Sequence, residues 1–182
     1  MNFRVFDGRP FGFPSFFLYI WYMVKYYSTS VVFEEIPDEV TLAIEITNCQ
    51  GHCEGCHSPW LREDIGEELT PDVLNRLIDE NDGITCVCFM GEGNDVTGLL
   101  DLALIVAQRG LAAALYSGRP NVEEELGAVF TYIKEGPYIK RFGPLNSETT
   151  NQRLYKVHHT ITPDNNLELE FNDITYKFWK RK

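Results

Sequence analysis

The sequence predicts an α/β fold, a partial, open β/α barrel of parallel strands with a small C-terminal β extension. Short apolar runs of strand character alternate with amphipathic helical runs through most of the chain, the pattern of parallel strands joined by right-handed crossovers. Each unusual loop, cysteine-bearing or glycine-rich, directly follows a strand-like run, so all of them fall on one edge of such a sheet. With 182 residues, 44% of them hydrophobic, the chain can bury one sizeable core and is too short for two ordinary domains.

Val40 to Thr47 alternates apolar and polar side chains and is β-branched enough to form the first strand of the alternating region. Thr70-Pro71-Asp72 supplies an N-cap, a proline at the first helical position and an acid in the first turn. Val73, Leu74, Leu77 and Ile78 then recur at helical spacing to about Asn81. Ile84 to Met90 is short, apolar and bounded by turn residues, as a buried strand is. A second helix is expected from Val96 to Arg109, with Asn94 or Asp95 to cap it and Gly110 to end it. Leu111 to Tyr116 reads as a strand, Val122 to Leu126 as a short helix and Ala128 to Lys134 as a further strand ending at Gly136-Pro137. Beyond Asn151, Leu154 to Ile161 and Leu167 to Trp179 read as a β-hairpin or meander.

The ends differ in character. Residues 1–22 contain nine aromatic side chains, and Phe11 to Val24 is almost wholly apolar, but this stretch has 14 residues and contains Pro14. A membrane-crossing helix needs about 20 apolar residues, and no small-residue cleavage site follows as a signal peptide requires. The expectation is an extension outside the working fold with translation starting at Met23, a main domain over 23–157 and a C-terminal β extension over 158–182. The basic end, Lys177, Lys180, Arg181 and Lys182, reads as a solvated terminus. No membrane is expected as a partner. Acidic residues outnumber basic ones by 27 to 16, and the net charge of −11 repels a phosphate backbone, so nucleic acid is not expected either.

Three of the five cysteines, Cys49, Cys53 and Cys56, crowd into eight residues, unlike a secreted disulfide framework. A reducing, cytoplasmic compartment follows. Thiolates are soft ligands that suit iron-sulfur chemistry, and this spacing reaches three corners of one 4Fe-4S cubane, leaving the fourth iron open. The alternative is zinc, with His52 or His57 completing a Cys3His site, although tetrahedral zinc usually draws ligand pairs from two separated segments. Cys86 and Cys88 lie two apart in a buried strand and read as core.

The segment Thr47-Asn48-Cys49-Gln50-Gly51-His52-Cys53-Glu54-Gly55-Cys56-His57-Ser58-Pro59-Trp60 resembles the cluster loop of radical S-adenosylmethionine enzymes. Tyr116-Ser117-Gly118 is similar to the aromatic-Thr-Gly of one branch, the activating proteins of anaerobic ribonucleoside-triphosphate reductase. Gly136-Pro137-Tyr138, Asn146-Ser147 and Thr149-Thr150-Asn151-Gln152-Arg153 resemble its Asp-Gly-x-Phe and Ser-Ser-Asn-Gln-Arg region. The likeness runs from about Tyr26 to Val157. One departure stands out: Met90-Gly91-Glu92 occupies the place of Gly-Gly-Asp or Gly-Gly-Glu, keeping the acid and losing the first glycine.

The resemblance implies an oxidoreductase in which Cys49, Cys53 and Cys56 bind a 4Fe-4S cluster. Gly55, Cys56, His57, Gly91, Glu92 and Ser117 would contact S-adenosylmethionine, with Glu92 receiving its ammonium. It implies reductive cleavage to methionine and a 5′-deoxyadenosyl radical, which takes a hydrogen from a glycine of the anaerobic reductase. A one-electron donor such as flavodoxin or ferredoxin is implied as a second partner. Two alternatives remain open: activation of another glycyl-radical enzyme or modification of a peptide, and a non-catalytic zinc or iron-sulfur module. Protein isolated from its native source is expected to begin at Met23, which mass spectrometry of the intact chain checks.

Overall fold

A computed structural model describes residues 24–122 and 124–179. The aromatic extension, Met23 and the basic Lys180, Arg181 and Lys182 lie outside the described residues. The described strands are β1 (Lys25–Val32), β2 (Thr41–Ile46), β3 (Glu67–Glu68), β4 (Cys86–Met90), β5 (Ala112–Tyr116), β6 (Tyr132–Glu135), β7 (Arg153–Ile161) and β8 (Leu167–Asp173). The helices are α1 (Pro71–Asp79), α2 (Val96–Gln108), α3 (Glu124–Gly127) and α4 (Tyr176–Trp179), with a 3-10 turn at Pro59–Arg62.

All eight strands join one open mixed sheet in the order β3-β1-β2-β4-β5-β6-β7-β8. Its centre, β2-β4-β5-β6, is parallel, as the alternation of strands and helices predicts. Both flanks are antiparallel, and this departs from a uniformly parallel sheet. The reason is connection length and content. A parallel return needs roughly a dozen residues or more, usually a helix. Phe33–Val40 is too short for that, and Gly136–Gln152 forms no helix.

Successive parallel strands are added in one direction, so right-handed crossovers put α1, α2 and α3 on the same face. The main core lies between these layers: Leu42, Ile44 and Ile46 of β2, Val87 and Phe89 of β4, and Leu115 of β5 meet Leu74, Leu99 and Leu102. Phe89 and Phe130 pack edge to face at 6.1 Å between centroids. Alternate residues face the other way, where Cys86, Cys88, Ala114 and Tyr132 form a second cluster with Ile36, Leu154 and Ile174. Segments from the β1–β2 connection and the C-terminus cover this second face. Tyr132 Oη donates to Glu39 Oε1 at 2.8 Å, Tyr116 Oη donates to the Glu35 carbonyl, and Lys177 pairs with Asp38 at 2.5 Å.

The helix signals act as expected. Thr70 Oγ1 accepts from the Val73 amide at 3.3 Å, and Asp95 Oδ1 accepts from the Gly98 amide at 2.9 Å. After α2, Gly110 at φ +73° lets its own amide reach the Ala107 carbonyl and that of Leu111 reach Val106, a Schellman ending. Two expected boundaries shift. The strand placed at Ala128 begins at Tyr132, because the amides of Ala128, Val129 and Phe130 turn back to the carbonyls of Glu125 and Leu126. The β stretch placed through Trp179 stops at Asp173, whose Oδ1 accepts from the Thr175 amide and hydroxyl and turns the chain into α4.

Two glycines separate strain from collision. Replacing Gly110 with alanine meets nothing within 4 Å and is expected to cost about 1 kcal/mol, the left-handed penalty alone. Gly66→Ala is expected to cost clearly more, since its Cβ would lie 2.0 Å from the Tyr26 carbonyl oxygen. Urea unfolding of both variants checks the order.

Candidate functional site

Because β2, β4, β5 and β6 are parallel, the segments leaving them emerge on one edge, where ligands bind in sheets of this kind. The first is the cysteine loop, and its base is clamped. Thr47 is fully buried; its amide donates to the Lys25 carbonyl at 2.9 Å and its hydroxyl to the Ile65 carbonyl at 3.0 Å. The Cys49 amide donates to the Leu61 carbonyl at 2.9 Å, so the loop leaves and returns side by side. Lys25 Nζ and Asn48 Nδ2 both bond Asp64 Oδ1, at 2.7 and 3.2 Å. Those hydrogen bonds, with the Lys25 charge, hold the Asp64 carboxyl below the usual carboxylate range.

Inside the clamp, Cys49, Cys53 and Cys56 are half-buried free thiols. Cys49 and Cys53 face a common space: a Cβ added at Gly51 would lie 3.4 Å from Cys49 Sγ and 4.0 Å from Cys53 Sγ. The Gly51 amide donates to Cys49 Sγ at 3.4 Å, and the Cys56 amide to the Cys53 carbonyl at 3.2 Å. Arg62 Nη2 also holds the Cys53 carbonyl, at 3.2 Å. Among the described residues no three His, Cys, Asp or Glu side chains are grouped to hold a single metal ion. A cubane does not demand that grouping, because each thiolate binds a different iron. His52 and His57 are exposed.

Cys86 and Cys88 are fully buried on β4. Burial, reinforced by Glu39, pushes the Cys86 thiol up to about 12, and burial raises Cys88 well above its ordinary value. Metal ligation requires a thiolate. These two therefore behave as protonated core, as their place in an apolar strand predicts.

A cavity of about 350 Å³ separates the cysteine loop from the ends of β5 and β6, with Gly51 and Cys53 on one wall and Gly118, Pro137 and Tyr138 on the other. Gly55, at φ +72°, lies against Tyr138: a Cβ there would be 3.6 Å from the ring. A larger cavity of about 660 Å³ contains no cysteine and is lined by Glu34, Glu35, Tyr116, Asn146, Ser147 and Phe178.

Gly91 and Glu92 follow β4. Gly91 adopts φ +124° and passes so close to β2 that an added Cβ would be 3.3 Å from the Ile46 carbonyl oxygen. Glu92 is 9% exposed; Oε2 pairs with Arg119 Nε at 2.6 Å, while the buried Oε1 has no hydrogen-bond partner among the described residues. Ser117 is buried, and its Oγ accepts from the Arg119 amide at 2.9 Å, so its neighbour Gly118 presents backbone to the cavity. Gly91, Glu92 and Ser117 do not line that cavity, and neither do Gly55, Cys56 and His57; Arg119 links Glu92 to its β5 wall.

The Asn151-Gln152-Arg153 segment braces the other wall. Asn151 Nδ2 donates to the Pro137 carbonyl at 2.9 Å and Gln152 Nε2 to the Gly136 carbonyl at 3.2 Å. Arg153 Nη1 ties the carbonyls of Thr150 and Gln152, each at 2.8 Å. Two residues at this edge escape sequence reasoning, Arg119 and Lys134. Neither has a local signal: Arg119 pairs with distant Glu92, and Lys134, beside Glu135 in the strand, bonds distant Ser117 as well as nearby Gly136.

No family model, no curated protein and no solved structure matches the chain. Gly91→Ala is expected to lower stability by about 1–3 kcal/mol, the cost of forcing a side chain into a sparsely populated backbone region. Urea unfolding with Asp95→Ala as a reference, expected near 1 kcal/mol for a lost helix cap, checks it.

Proposed function

We propose that this chain is a cytoplasmic radical S-adenosylmethionine activase, built as a partial β/α barrel, that generates a glycyl radical on anaerobic ribonucleoside-triphosphate reductase. The observation that carries the reading is the gathering of the Cys49 and Cys53 sulfurs about Gly51, on a clamped loop beside a cavity at the carboxyl edge of the parallel strands. The shared direction of the four central strands supports the barrel reading, because it puts α1, α2 and α3 together outside the sheet, with Ile36, Leu154 and Ile174 filling the opposite face. Among the described residues no helix is long and apolar enough to cross a membrane.

The residues fit a 4Fe-4S cluster on chemical grounds: three thiols, no fourth cysteine in the loop, and a backbone amide already donating to one sulfur. Once bound, the cluster supplies the single electron that splits S-adenosylmethionine into methionine and a 5′-deoxyadenosyl radical. The chain supplies orientation and shelter. Cys49, Cys53 and Cys56 hold iron, and the Gly51 amide spreads the charge on Cys49. The unpartnered Glu92 Oε1 suits the ligand's ammonium, since a buried carboxylate oxygen gains most from a charge-assisted bond. Gly118 offers backbone and Tyr138 an aromatic face to the nucleoside, and Gly55, against that ring, and His57 would have to reach it from outside the cavity wall. The larger cavity, with its acidic and aromatic walls, is the proposed approach of the partner's glycine-bearing segment. A donor such as flavodoxin or ferredoxin would deliver the electron.

Protein purified without oxygen is expected to be brown, to contain about four irons per chain and to release 5′-deoxyadenosine when reduced with S-adenosylmethionine. Colourless protein with one zinc ends this reading. Cys53→Ala is expected to lose the iron and Cys86→Ala to keep it, checked by metal analysis. Glu92→Ala is expected to weaken S-adenosylmethionine binding about tenfold or more, the worth of one charged hydrogen bond, measured by calorimetry on iron-loaded protein. A glycyl radical signal by electron paramagnetic resonance with the anaerobic reductase of the same cell tests the partner; a signal only with a different glycyl-radical enzyme reassigns it.

A further inference from the structure

Lys134 is 7% exposed at the end of β6, yet among the described residues no carboxylate forms an ion pair with it. Its Nζ donates to the Gly136 carbonyl at 2.8 Å and the Ser117 carbonyl at 3.2 Å, and lies 5.9 Å from the centre of the Tyr116 ring. An ammonium has three donors, and two carbonyl dipoles do not balance a full buried charge. A methionine would fill this space without that cost. Burial accordingly draws the Lys134 ammonium down to about 8, and the opposing influence comes from Cys53. The two carbonyls it bonds belong to the turns that carry Gly118 and Pro137, which face Cys53 across the smaller cavity.

We propose that Lys134 is a positioning residue for the metal-bound Cys53 thiolate: its ammonium stands behind the cavity wall and supplies positive charge from the sheet side, opposite Arg62, which holds the Cys53 carbonyl from within the loop. Glu92 is already matched by Arg119 on the β4 side of the edge, and Lys134 balances the thiolate side. The inference rests on the activase reading in one respect, that Cys53 binds iron. A positive charge beside a metal centre favours the state carrying more negative charge, here the reduced one. Removing it makes reduction harder and leaves the three sulfur ligands in place.

The test compares wild type, Lys134→Met, Lys134→Gln and Lys134→Arg, reconstituted anaerobically with iron and sulfide and without S-adenosylmethionine. Iron per chain and redox titration followed by electron paramagnetic resonance are the readouts. Lys134→Met is expected to keep its iron while its ratio of reduced to oxidised cluster at the wild-type midpoint falls about tenfold. That equals a 59 mV negative shift for one electron, the order that a unit charge produces over roughly 10 Å at an effective dielectric near 20. Lys134→Arg, which keeps the charge, is expected to stay near wild type. If both neutral variants lose iron and the arginine variant keeps it, the charge serves cluster assembly and not the potential, and the inference is overturned. An unmoved midpoint in a fully loaded Lys134→Met protein overturns the inference and leaves the activase reading intact. Iron loss in all three variants overturns it too, because shape and not charge would then decide. A wild-type chain that takes up no cluster overturns the activase reading itself, and the inference with it.

Discussion

Thr47 joins three segments at one buried point. Its amide and hydroxyl bind the Lys25 and Ile65 carbonyls, so the end of β2, the start of β1 and the chain returning from the cysteine loop are fixed together. The rest of the site depends on this closure. A loop with three cysteines and two glycines has little reason of its own to hold a shape, because it buries almost no apolar surface. Pinning both ends removes most of its freedom before any ligand arrives, and the loop-ordering cost of binding falls accordingly. Leu61, buried where the loop returns, adds the one apolar anchor on that side.

The opposite wall is assembled in another way. Gly136 adopts φ +98° and packs so closely on Gln152 that an added Cβ would lie 3.1 Å from its Cα. The Gly136 carbonyl accepts from both Lys134 and Gln152. One backbone oxygen therefore ties β6 to the segment leading into β7. Asn151 and Gln152 act on the cavity through the backbone of Gly136 and Pro137, which accounts physically for their presence beside a site they do not enter. Mutations there would misplace a wall and leave every ligand donor intact.

The central strands and both long helices were legible in the sequence because their signals are local: Pro71 after Thr70, Asp95 before Val96, Gly110 after α2, and apolar runs bounded by turns. The antiparallel hairpin β7–β8 was legible too, as two β-rich stretches joined by a short turn, but the antiparallel flank formed by β1 and β3 was not. In β1 the burial pattern does not alternate, since Tyr27 and Val31 are exposed on an edge partly covered by a two-residue strand. The cysteine triad was visible as spacing, and the shared loop edge as topology. The pairing of Arg119 with Glu92 and the bond from Lys134 to the Ser117 carbonyl were invisible, because each joins residues at the ends of different parallel strands.

The two outer strands carry a consequence for behaviour in concentrated solution. The sheet never closes, so β3 at one end and β8 at the other each leave a row of backbone donors and acceptors that a second copy could extend. β3 consists of Glu67 and Glu68, and β8 carries Glu168 and Glu170. Pairing through β3 or β8 would bring glutamate against glutamate, and like charges directly across a strand pair are destabilising, whereas the stretch of β1 that β3 leaves unpaired, Tyr27 to Val32, carries no charge. Acidity thus guards the β8 border and the β3 corner against polymerisation, a protection that weakens as salt screens the carboxylates or acid neutralises them, and leaves the β1 border open.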